Sequence, residues 1–158
     1  MSTAHSACLA AALAFVIGAR APARTGIFYE LRCDRIATTT ITFGYTGGTL
    51  KPSGLRIAAD GTVKPIGSGA GMTHNVESVP HDAVRRMARL GWSGPFVSLP
   101  TAPTRPTRNP DAARQFIELH SACGTKHVEY ADGEGAPVFR DLYARLQALA
   151  GVQATAPR

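Results

Sequence analysis

Asp60-Gly61 stands between two short runs that are prone to extended structure, residues 54–59 (GLRIAA) and 62–66 (TVKPI). An Asp-Gly step in that setting is the strongest local hairpin signal, because glycine accepts the positive φ that a tight turn demands. Leu55 and Ile57 alternate along the first run, as a half-buried strand requires. Upstream, residues 37–45 (ATTTITFGY) place Ile41, Phe43 and Tyr45 on one face and Thr40, Thr42 and Gly44 on the other. This period of two predicts a strand that Thr46-Gly47-Gly48 breaks. A sheet is therefore expected before any helix.

The helices come after paired strands. Ser78-Val79-Pro80-His81-Asp82 offers a capping serine, a first-turn proline and an acid where the helix dipole favours one. A helix to Leu90 follows, with Val84, Met87, Ala88 and Gly91 on its apolar face and Arg85, Arg86 and Arg89 opposite. Residues 92–110 carry many of the 11 prolines and are expected to form a long extended connection. Residues 112–120 and 125–131 read as a second hairpin around Cys123-Gly124. Residues 138–150 read as a last helix with Val138, Leu142, Leu146 and Leu149 as its stripe and Tyr143 beside it. At 158 residues the chain has room for one ordinary domain. The expected fold is α+β: a two-layer sandwich of a four- or five-stranded antiparallel sheet with two helices on one face.

The N-terminal region is different in character. Residues 7–19 (ACLAAALAFVIGA) are uncharged and apolar, and shorter than the ~20 residues of a membrane span. Ala21-Pro22-Ala23 then supplies an A-x-A pattern. Residues 1–23 are expected to be a signal peptide, with an uncleaved anchor as the alternative because no Lys or Arg precedes the apolar run. Residues 24–36 are then an irregular lead-in, 37–151 the single domain and 152–158 a frayed tail. The expected location is secreted or periplasmic. Of three cysteines, Cys8 lies in the leader, leaving Cys33 and Cys123 to pair. Their bridge would close a loop of about 90 residues, stabilising by up to ~4.6 kcal/mol in the chain-entropy model. The alternative is that both stay reduced.

No His-Glu-x-x-His, Gly-x-Ser-x-Gly, phosphate loop or paired Cys-x-x-Cys occurs. His120, Cys123 and His127 form the nearest approach to a metal cluster, but a structural zinc site takes four ligands and no fourth is near in sequence. The same residues define the enzymatic alternative, a thiol- or metal-dependent activity. The formal charge of +6 aids solubility. Aromatic residues are too few, and too separate from the arginines, to make a stacking platform, so nucleic acid is not an expected partner. No cofactor, metal site or catalytic residue is expected. A structural envelope domain is a further alternative.

The stretch Thr42-Phe43-Gly44-Tyr45-Thr46-Gly47-Gly48, followed by Leu55-Arg56-Ile57-Ala58-Ala59-Asp60-Gly61-Thr62-Val63, resembles the opening of the emfourin-like proteins. The second half is similar in layout. Pro110-Asp111 precedes Phe116-Ile117-Glu118-Leu119, Gly124-Thr125-Lys126-His127-Val128 returns, and Ala136-Pro137 leads into Leu142, Leu146 and Leu149. The resemblance covers roughly residues 40–151. It implies a small, non-enzymatic α+β inhibitor of a thermolysin-like metalloprotease, with a protease as partner. Such a domain would present loops to the protease cleft. The candidates are Gly67, Gly69, Gly71 and Met72, where glycines permit close backbone approach and Met72 offers an apolar anchor, and Phe96 and Leu99 in the proline-rich connection.

Overall fold

A computed structural model describes residues 34–47, 52–67, 72–101, 113–131 and 133–152. In chain order these form α1 (Arg35–Thr38), β1 (Thr40–Thr46), β2 (Ser53–Ile57), β3 (Val63–Gly67), α2 (His81–Gly91), α3 (Gly94–Val97), β4 (Arg114–Ser121), β5 (Gly124–Ala131) and α4 (Pro137–Leu149). The five strands make one antiparallel sheet in the order β3-β2-β1-β4-β5. Two hairpins thus meet on β1, the first strand among the described residues and the middle one in space. The expected α+β sheet architecture is present with five strands.

Alternation sets which face is buried. Ile57, Ile41 and Leu119 lie in one cross-strand row, and Leu55, Phe43, Ile117 and Val128 in the next. All seven are fully buried. Onto them pack Val84 of α2, Phe96 of α3 and Phe139, Leu142, Tyr143 and Leu146 of α4, which closes a single core on one side of the sheet. Burying one such aliphatic or aromatic side chain is worth ~1.5–3 kcal/mol. Tyr143 orders the centre through a ring contact and a hydrogen bond. Phe43 meets Tyr143 edge-on at 5.8 Å, and the Tyr143 hydroxyl donates to the Gly44 carbonyl at 3.2 Å. A Cβ at Gly44 would stand 2.2 Å from the Ser53 carbonyl oxygen, so β1 and β2 approach here only because this position has no side chain.

Four local expectations change. Residues 35–38, expected as lead-in and strand, are the helical turn α1. The Asp34 carboxylate accepts the Ala37 N–H at 2.9 Å, and this cap outweighs the β propensity of Ile36 and Thr38. Thr39 then fixes the junction: its hydroxyl donates to the Arg35 carbonyl and accepts the Trp92 indole N–H at 2.8 Å. The Arg35 guanidinium lies over the Trp92 ring at 5.2 Å.

Helix α2 starts from Pro80 without a side-chain cap. Ser78 instead pairs with Thr62 in an isolated antiparallel bridge. The flanking bonds, Val63 N–H to the Glu77 carbonyl and Val79 N–H to the Gly61 carbonyl, cover the start of β3. The connection expected to be extended contains α3, which begins with Pro95 in its first turn and turns Phe96 inward. On α4 the buried set is Phe139, Leu142, Tyr143 and Leu146, with Val138 and Leu149 only packed against it. The stripe is the expected one rotated by one residue at its start. Among the described residues no helix is long and apolar enough to cross a membrane.

Candidate functional site

The face of the sheet away from the helices carries the polar half of each alternating strand. The strand registers align Lys64, Arg56, Thr42, Glu118 and His127 in one row across all five strands. The adjoining row places Thr40, His120 and Thr125 side by side. Neighbouring strands are ~4.8 Å apart, so the side chains of a row are within reach of one another.

The β4–β5 half of this face is a closed network. Arg114 pairs with Glu129 at 3.0 Å, and His127 lies between Glu118 at 3.3 Å and Glu129 at 3.5 Å. Phe116 stacks flat against the His127 ring, centroids 5.8 Å apart. His120 contacts the Thr125 hydroxyl at 2.9 Å. The other half is open. A pocket of about 350 Å³ is lined by Thr40, Thr42, Arg56, Ala58, Glu118 and His120. A second, of about 220 Å³, is lined by Arg56, Ala58, Asp60, Thr62 and Lys64. Arg56 and Ala58 belong to both: the short side chain of Ala58 leaves the space, and Arg56 divides it.

Asp60 closes the outer end. Its carboxylate accepts the Thr62 N–H at 2.9 Å, and chiefly this bond, with the Thr62 side chain and the nearby Lys64 ammonium also contributing, lowers its pKa below the ordinary value. Gly61 follows at φ +91°, where a Cβ would meet the Val79 carbonyl oxygen at 2.2 Å. The turn that positions Asp60 thus depends on the residue type predicted for it.

The residues singled out from the sequence have varied placements. Gly67 ends β3, while Gly69 and Gly71 lie outside the described residues. Met72 is half-buried and packs against the core, and so does Leu99, whose carbonyl accepts the Lys126 ammonium. Phe96 is fully buried. It is a core residue and not a surface anchor, because α3 turns its ring away from solvent. Cys123 sits half-buried in the β4–β5 turn, where its N–H donates to the Ser121 hydroxyl at 3.2 Å. Cys33 lies outside the described residues, as do residues 1–32 and with them the expected leader. His120 and His127 are engaged as described, and no group of three or more His, Cys, Asp or Glu among the described residues is placed to hold a metal.

Sequence reading missed Arg56 and Lys64. The signal was available: Arg56 alternates with Leu55 and Ile57, so burying those two turns it to the opposite face. What was lacking was the register that lines it up with Lys64 and Thr42. Comparison with known proteins finds no matching family model, no matching curated protein and no matching solved structure.

Proposed function

We propose that this chain is an exported, non-enzymatic binding domain that docks a protein partner on the polar face of its sheet. The observation that carries the reading is the pair of pockets around Arg56, on the sheet face opposite the helix-covered core. A surface held by five paired strands is ordered before the partner arrives, so association loses little conformational freedom. The partner class suggested by the emfourin resemblance is a thermolysin-like metalloprotease, with the domain acting as its inhibitor. Inhibition would then rest on the sheet face and its turns, since Phe96 is in the core and Met72 and Leu99 pack against it. Fold layout alone does not carry an activity, so the inhibitory role stands or falls on assay.

The test is titration of the protein against a thermolysin-type protease. Dose-dependent loss of peptide hydrolysis at micromolar concentration is expected. Full hydrolysis at that concentration removes the inhibitory role. Capture from culture medium or periplasm, with the protein as bait, identifies the partner directly.

A further inference from the structure

Resting on the reading that this face docks a protein, we infer that Arg56 anchors an extended peptide segment that carries an acid and, three residues away, a base. Arg56 and Lys64 are direct cross-strand partners, exposed on the same face. Like charges in that position repel, so the arrangement favours an anion between them. Among the described residues of the face, Glu118 has His127, and Glu129 has Arg114 and His127. Lys64 is near enough to Asp60 for its charge to be felt there but makes no ion pair with it. Neither Arg56 nor Lys64 makes a side-chain hydrogen bond or ion pair among the described residues, and of the two Arg56 stands at the wall shared by both pockets.

Guanidinium is the side chain best suited to this, since its planar fork receives a carboxylate through two parallel hydrogen bonds. The Thr40 and Thr42 hydroxyls line the larger pocket beside it and can donate to the same group. The flanks set the rest of the ligand. Glu118 forms the far wall of that pocket, and its side chain is 43% exposed despite the His127 contact. Asp60 borders the smaller pocket on the other side. A run of acids would meet these carboxylates and be repelled, whereas a single acid followed by a base would be met at both ends. Arg56 and Glu118 are two strand spacings apart, ~10 Å, and three residues of extended chain span ~10 Å. A segment lying across the strands therefore places its acid at Arg56 and its base at Glu118.

The experiment is calorimetric titration of the full chain with a synthetic peptide containing Glu-Gly-Ser-Lys between Gly-Ser flanks, against the same peptide with Gln at both charged positions. The charged peptide is expected to bind at least about tenfold more tightly. That preference is expected to vanish in Arg56→Gln, to weaken in Glu118→Gln, and to persist in Arg86→Gln, an exposed change on α2 that alters net charge equally. Far-UV circular dichroism checks that each variant is folded. Equal affinity for the two peptides, or an Arg56→Gln protein that retains the preference, overturns the inference. Protease inhibition that survives in Arg56→Gln also removes Arg56 as the anchor while leaving the inhibitory role intact. Absence of inhibition by the unsubstituted protein, with its peptide preference present, removes the inhibitory role and leaves the Arg56 site standing.

Discussion

Asp60 shows how much one side chain settles locally. Its acceptor bond from the Thr62 N–H closes the β2–β3 turn, with the Gly61 N–H to Ala58 carbonyl bond beneath it. Both residue types were legible in the sequence because a turn is decided by its own few residues. The bond also has a pH signature. The folded carboxyl titrates below its ordinary 3.8, so folding favours the ionised form. The stabilisation is fully present above the unfolded value and is lost as pH falls through the lower folded one. Carboxyl-detected NMR titration should give Asp60 a midpoint below 3.8, and a midpoint at or above 3.8 contradicts the turn geometry. Arg56 is the converse. Its neighbours Leu55 and Ile57 turn it to the outer face but do not mark its role, which depends on Lys64 and Thr42 arriving from other strands.

At the level of elements, periodicity gave the strands and the two long helices, because one buried face forces a repeat of two or of about 3.6. It failed on the short ones. Helices α1 and α3 have four residues each, too few to show a period. The first is made by the Asp34 cap. The second is made by what lies beneath it: residues 92–110 have the composition of an extended linker, yet Phe96 finds a fully apolar site among Val84, Phe139 and the sheet. Phe96→Ala should therefore destabilise the protein by about 3–5 kcal/mol, read by urea unfolding. Its neighbour Val97 is 38% exposed, and Val97→Ala should change stability by less than ~0.5 kcal/mol. Equal small effects would return Phe96 to the surface role first expected of it.

For the molecule as a whole, the hydrogen bonds of Thr38 and Thr39 tie the N-terminal end of the described residues to the rest of the domain. Trp92 takes Thr39, and the Thr38 hydroxyl accepts the Ala122 N–H at 3.3 Å in the β4–β5 turn. The second contact brings α1 to the residue beside Cys123, and Cys33 directly precedes the Asp34 cap in sequence. Cys33 itself lies outside the described residues, so the Cys33–Cys123 bridge expected from the sequence is a matter for direct chemical test. If the bridge forms, non-reducing peptide mapping of the protein should recover the two cysteines in one cross-linked pair. Alkylation of both thiols without a reductant would remove the bridge.

The sheet order adds a constraint of another kind. Of the five described strands β1 is synthesised first but lies in the middle, and its second neighbour β4 emerges only after α2 and α3. Until then the β1–β2–β3 meander can form, yet it keeps a bare edge and has no α4 to shelter Phe43. Such delayed long-range pairing slows folding and leaves a strand open to capture by another chain. The nascent protein is thus most vulnerable to self-association during the interval between its third strand and its fourth.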